Sequence, residues 1–286
     1  MNNLCNKLIN KEELDKIINN HLETCKISVN NIDLFLQAFM HKSFAYKDSF
    51  IDEEDNCSYF YLDNVSSNER LEFLGDSILN MSTAEYLFSL FPDKDEGFLT
   101  RVRTRLVKNT QLSHMGTELG FKKWLLISNH VEKINGRDNP RLIEDVFESF
   151  IAALYKDQGF YVTREFIFKC FDKYVDLEFI INNNDNYKDS LLRYFQLNSW
   201  SHPVYNTFIS DTSGPKKSFT TTVLLSIEVV QEYDKVEKVN SKLTNEYSID
   251  FKDSYMLGVG VGKTKKESEQ NASKQALENL NVSYNF

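Results

Sequence analysis

Through residues 1–181 apolar side chains recur at three- and four-residue intervals, the spacing that lines one face of an α-helix. Leu71, Leu74, Ile78 and Leu79 form such a face, continued by Tyr86 and Leu87 and stopped at Phe91-Pro92. A second face follows at Val102, Leu106 and Leu112, and a third at Ile143, Val146, Phe147, Phe150, Ile151 and Leu154. Residues 47–67, which include Asp52-Glu53-Glu54-Asp55, keep no period and predict a surface loop or insertion. The texture changes at Ile181-Asn-Asn-Asn-Asp-Asn186, a polar, turn-prone stretch that predicts a linker over 182–186. Beyond it a helical segment, Tyr187 to Leu197, leads to β-branched and aromatic runs at Val204 to Ile209, Phe219 to Val230 and Tyr255 to Gly262. A polar insertion of undefined structure interrupts them at 231–247, and a last helix runs from Thr264 to Leu280. The pattern predicts an all-α domain over 1–181 and an α+β domain, ordered α-β-β-β-α, over 187–286.

A length of 286 residues suits two domains, and only 4 Pro and 10 Gly leave long helices uninterrupted while excluding proline-rich disorder. Cys5, Cys25, Cys57 and Cys170 form no C-x-x-C pair and have no His at zinc spacing, so they are expected as free thiols in a reducing compartment. With no long apolar run and no basic, then apolar, N-terminal signal, the expectation is a soluble intracellular protein with no membrane partner. The net charge of −9, from 33 basic and 42 acidic residues, argues by itself against nucleic-acid binding. It is unevenly placed, however: residues 186–286 hold 12 basic and 12 acidic side chains, so the whole excess lies in 1–185.

Part of that excess is patterned. In Asn68-Glu-Arg-Leu-Glu-Phe-Leu-Gly-Asp-Ser-Ile-Leu79, Glu69, Glu72 and Asp76 stand three and four apart, on one side of a helix, with no Lys or Arg alternating along that face. Gly75 inside the same helix is unfavourable by about 1 kcal/mol against Ala, which points to close approach of a second backbone or a ligand. A solvated acidic face explains one such helix. A second, Glu144-Asp-Val-Phe-Glu-Ser-Phe-Ile-Ala-Ala-Leu-Tyr155, places Asp145 and Glu148 at i, i+3 beside Val146, Phe147, Phe150 and Ile151. Two helices bringing paired carboxylates to the edge of an apolar core can supply an all-oxygen site suited to Mg²⁺ or Mn²⁺.

These residues resemble the ribonuclease III endonucleases. All ten positions from Asn68 to Ser77 match the family signature, and Asp95-Glu-Gly97, Arg105-Leu-Val-Lys-Asn-Thr110 and Glu144 to Tyr155 match in order; His41-Lys-Ser43 resembles a His-Arg-Ser step. By position the resemblance implies Glu72, Asp76, Asp145 and Glu148 as metal ligands, with Asp76 and Glu148 the two whose loss is most damaging. It implies Glu69 and Glu96 as supporting acidic residues in substrate or outer-shell roles. Phe73 matches a dimer-contact residue, and is equally readable as an ordinary core Phe. Arg101, Arg105 and Lys108 share a helix face that could meet phosphate or simply be solvated.

Near the C-terminus, Gly258-Val-Gly-Val-Gly-Lys-Thr264 fails as a phosphate-binding loop, because Leu257 stands where its first Gly is required. With Lys265, Lys266, Ala272 and Gln275 it resembles instead the last strand and helix of a double-stranded-RNA-binding domain. That likeness implies RNA contacts at Gln196, Lys216, Lys217, Thr264, Lys265 and Lys266, with Lys217 where a His is usual and Arg193 where a Glu is common. Such domains read A-form shape more than base sequence. The whole implies a homodimeric endoribonuclease that uses Mg²⁺, with Mn²⁺ able to substitute, to cut double-stranded RNA to 5′-phosphate ends with short 3′ overhangs. The alternative is a catalytically silent double-stranded-RNA binder, such as a silencing suppressor or ribosome component; retention of all six carboxylates counts against it.

Overall fold

A computed structural model describes residues 3–45, 66–182, 186–211, 218–226, 233–247 and 254–282. The chain forms two compact units, Met1–Ile180 and Ile181–Phe286. The expected loop at 47–67 falls almost entirely outside the described residues, as do Lys216 and Lys217.

Unit 1 is helical: α1 (Lys11–Asn19), α2 (Ile32–Ala38), α3 (Lys42–Ala45), α4 (Glu69–Leu90), α5 (Glu96–Leu106), α6 (Asn109–Glu118), α7 (Asn129–Lys133), α8 (Pro140–Gln158), α9 (Phe160–Tyr174) and α10 (Leu177–Asn182). Helix α10 reaches two residues beyond the unit boundary, so the expected linker begins inside a helix. Local chemistry sets the ends. Asp95 caps α5 by accepting from the Phe98 amide at 2.7 Å, and Asn139 caps α8 with Pro140 in its first turn. Helix α8 is the axis of the unit, buried almost continuously from Val146 to Leu154. Phe150 lies at its centre, with ring centroids 4.8 Å from Phe121, 5.3 Å from Phe35 and 5.5 Å from Phe166.

Unit 2 carries α11 (Tyr187–Leu197), β1 (Val204–Asp211), β2 (Ser218–Ser226), α12 (Tyr233–Tyr247), β3 (Ser254–Gly262) and α13 (Lys265–Asn279). The strands form one antiparallel sheet in the order β1-β2-β3. The insertion at 231–247 is mostly the helix α12, whose Val236, Val239 and Leu243 join the buried core. The Gly-x-Gly-x-Gly pattern is a packing device. A Cβ on Gly258, Gly260 or Gly262 would lie 2.3 Å from the Ala272 carbonyl oxygen, 2.1 Å from the Ala272 nitrogen and 2.5 Å from the Ser268 nitrogen, respectively. Alternate residues of a strand share one face, so three glycines let α13 lie directly on β3.

The free edge of β3 is closed by carboxamides. Asn271 and Asn279 of α13 donate to the Val261 and Leu257 carbonyls at 2.7 and 3.0 Å, and Gln275 accepts from the Val259 amide at 2.6 Å. Asn240 of α12 accepts from the Met256 amide at 2.7 Å. Side chains four apart on a helix thus satisfy backbone groups two apart on a strand, which blunts an edge otherwise open to strand addition.

Candidate active site

Three ties fix the entry to α4. The buried Asn68 donates its backbone N–H to the Met40 carbonyl at 2.9 Å and its amide to the Ala38 carbonyl at 3.4 Å, while its own carbonyl accepts from Ser149 Oγ of α8 at 3.2 Å. The 38–41 segment is held in turn by Leu126, which donates to the Phe39 carbonyl at 2.9 Å and accepts from the His41 amide at 3.1 Å. Seven residues into the helix, α4 crosses α8 at backbone contact: a Cβ on Gly75 would sit 1.8 Å from the Glu148 carbonyl oxygen. Gly75 therefore marks a second backbone, one of the two readings its position allowed.

The crossing gathers the candidate ligands. Glu148 is 9% exposed and Asp145 is half-buried on α8; Glu72 is half-buried and Asp76 exposed on α4. Burial, then the charges of Glu72 and Glu144, pushes the Asp145 carboxyl up to about 7. Burial, then the charges of Asp76, Glu144 and Glu72, pushes Glu148 up to about 8. Glu72 is raised chiefly by burial, then by Glu69 and Glu144. None of these four carboxylates has an ion-pair partner among the described residues. Nor, among those residues, do three acidic, His or Cys side chains form a closed ligand cage.

The donor set still fits a hard divalent cation. It is all oxygen, open to water on the Asp76 side, and pays an ionisation cost that positive charge would relieve. Glu72, Asp76, Asp145 and Glu148 are the residues that would hold it.

The supporting positions divide. Glu69 pairs with Lys42 at 3.1 Å, and that hydrogen bond, with one from Ser67, holds it below the usual carboxylate range. Glu96 heads α5 and accepts from Thr100 at 2.9 Å. Arg105 donates to the Ile180 carbonyl at 3.0 Å, so part of the basic face on α5 serves packing. Phe73 is 80% exposed, which removes the core-residue reading. Glu144 belongs to the electrostatic group although its motif position drew attention only to its neighbours, and its carboxylate accepts from Asn109.

In unit 2, Thr264 caps α13 by accepting from the Glu267 amide at 3.1 Å, leaving Lys265 and Lys266 exposed in the first turn. Lys188, at the start of α11, pairs with Glu269 at 2.6 Å, so that end of α11 lies beside the first half of α13. Gln196 is exposed at the other end of α11, about 12 Å further on by helical rise. Arg193 is paired to Asp189 at 2.9 Å.

Residues 31–174 match the ribonuclease-III-like family model, and residues 187–280 match the double-stranded RNA binding motif. A ribonuclease 3 of Staphylococcus aureus is 32% identical over 250 residues, covering 87% of this chain and 86% of that protein. The chain belongs to the ribonuclease III family. A probable ribonuclease 3 of Acanthamoeba polyphaga mimivirus is also 32% identical, over 280 residues; the match takes 96% of this chain but spans only 44% of the viral protein. The solved nuclease domain of ribonuclease III from Campylobacter jejuni is 27% identical with a TM-score of 0.47, over 59% of this chain and 98% of that one. Among the described residues no helix is long and apolar enough to cross a membrane.

Proposed function

We propose that this member of the ribonuclease III family is a homodimeric, Mg²⁺-dependent endoribonuclease that hydrolyses phosphodiesters of double-stranded RNA, leaving 5′-phosphate ends and short 3′ overhangs. The observation that carries it is the α4–α8 crossing, where the buried Glu148 and the half-buried Asp145 are gathered with Glu72 and Asp76, none of the four in an ion pair among the described residues. In this reading Glu72, Asp76, Asp145 and Glu148 hold divalent metal, Mg²⁺ or in its place Mn²⁺. When bound, such ions supply a water nucleophile at neutral pH and stabilise the leaving oxygen. Lys42 and Glu69 close the rim of the group, and Asn68 and Gly75 set the distance between the two helices. Gln196, Thr264, Lys265 and Lys266, together with Lys216 and Lys217, engage the duplex by its phosphates and 2′-hydroxyls, a salt-sensitive mode in which local lysines act although residues 186–286 carry no net charge. Incubation of the purified chain with a long RNA duplex and Mg²⁺ should shorten the duplex. Binding without cleavage would instead favour the catalytically silent binder.

Dimerisation has its own support in unit 1. Phe73, Met81 and Phe88 of α4 are 80, 61 and 72% exposed and fall along one side of the helix. Large apolar side chains left bare in a row mark an association surface. Phe73→Lys should weaken the dimer by roughly 30-fold, the effect of losing about 2 kcal/mol at an aromatic anchor. Light scattering over a dilution series reads this directly, and an unchanged dimer constant would remove α4 from the interface.

A further inference from the structure

We infer that Asn80 is a positioning residue for Asp76, orienting its carboxylate toward metal without neutralising it. The inference rests on the nuclease reading for its purpose. Its geometry is independent: Asn80 Nδ2 donates to Asp76 Oδ1 at 2.8 Å and to the Asp76 carbonyl at 3.0 Å. Asp76 is the most exposed of the four candidate ligands, on a helix face where an unrestrained carboxylate samples several rotamers. A donor one turn on selects one of them.

The chemistry of the donor is the informative part. Lys or Arg four residues after an acid would also bond to it, but as an ion pair that cancels the charge a metal needs. A carboxamide fixes direction and leaves the full negative charge in place. The same choice recurs across the crossing, where Asn109 donates to Glu144. Lys42 pairs with Glu69 at the rim. Thus Asp76 and Glu144 each take a neutral donor, while Glu69 takes a positive one.

Removing a partner that orients a metal ligand typically costs 10- to 100-fold in affinity. Asp76 is exposed and can still find the rotamer, so we place Asn80 near the lower limit, about 10-fold. The test is Asn80→Leu in the full chain: leucine is similar in size, a better helix former and unable to donate. Binding of Mn²⁺ alone, without RNA, is followed by the electron paramagnetic resonance signal of the free ion. The melting temperature and dimer constant are measured alongside, since Asn80 lies on α4 near the exposed row. Mn²⁺ affinity should fall about tenfold while melting temperature is held or raised. In cleavage, the Mg²⁺ requirement should rise, with kcat recovered at saturating Mg²⁺ and KM for duplex unchanged. Equal Mn²⁺ affinity in variant and wild type overturns the inference and leaves Asn80 a helix brace. Should the leucine substitution disturb the fold, Asn80→Ala is judged by the same Mn²⁺ titration. A wild type that binds Mn²⁺ more tightly than the variant yet cuts no duplex upholds Asn80 and defeats the nuclease reading. A wild type that binds no Mn²⁺ defeats both.

Discussion

Glu148→Gln should leave duplex binding intact and lower cleavage by at least roughly 100-fold, because losing the orientation of a ligand alone costs up to that much and, on the proposed assignment, the ligand itself would be lost. Glutamine keeps the shape and one oxygen but not the charge. The same substitution should not weaken the fold. Glu148 is 9% exposed with no ion-pair partner among the described residues, and burial first, then Asp76, Glu144 and Glu72, raises its carboxyl to about 8. An acid whose folded value lies above its unfolded value stabilises below the unfolded value and loses that contribution as pH rises through the folded one. Metal-free wild type should therefore lose stability between about pH 5 and pH 8, and added Mg²⁺ should restore it at the upper end. Glu148→Gln should show a shallower loss and less response to Mg²⁺. Melting curves across that range check both, and a variant that is less stable than wild type at pH 8 without metal would contradict the account. A side chain whose removal raises stability and destroys activity is one retained for chemistry.

Periodicity alone located α4 and α8, because each carries a long apolar stripe whose spacing survives any tertiary detail. It missed α12. Val236, Val239 and Leu243 do recur at helical spacing, but three apolar positions among charged and amide side chains read as a polar insertion until a sheet is there to cover. The carboxylates were visible for the opposite reason: acids at i, i+3 and i, i+4 beside buried aromatics are conspicuous in a helix. What positions them was not visible. Asn68 acts through residues some 30 and 81 places away along the chain, and Lys42 meets Glu69 across 27, contacts with no local signal. The Asn271, Gln275 and Asn279 ladder spaces amides as any solvated helix face would, and becomes an edge seal only beside β3. Exposure likewise removed the core reading of Phe73, since a signature Phe has the same letter in a core or on a surface.

Gly75→Ala should be among the most damaging small substitutions in the chain. Helix propensity alone favours it by about 1 kcal/mol, since glycine is poor in a helix interior. Packing reverses the sign. The added methyl would stand 1.8 Å from the Glu148 carbonyl oxygen, 2.5 Å from its carbonyl carbon and 3.2 Å from its Cα, all backbone of a helix buried on nearly every side. No rotamer change relieves a backbone contact, so α4 and α8 must separate, opening the core around Val146 and Phe147 and drawing Glu72 and Asp76 away from Asp145 and Glu148. Overpacking of this kind costs about 3 kcal/mol, occasionally more, leaving a net loss of about 2 kcal/mol or above after the propensity gain. In a unit of this size that lowers the melting temperature by roughly 4 to 8 °C. Cleavage should fall further than stability explains, because a displacement of about 1 Å between catalytic groups can cost on the order of 100-fold. Assayed well below its melting temperature, where the variant is folded, it should therefore remain strongly impaired, and Gly75→Ser, with its larger side chain, should be at least as poor. A variant that melts above wild type would show propensity winning and the crossing looser than a single hydrogen atom's width requires. One that melts lower but cuts at the wild-type rate would separate the helix contact from the chemistry.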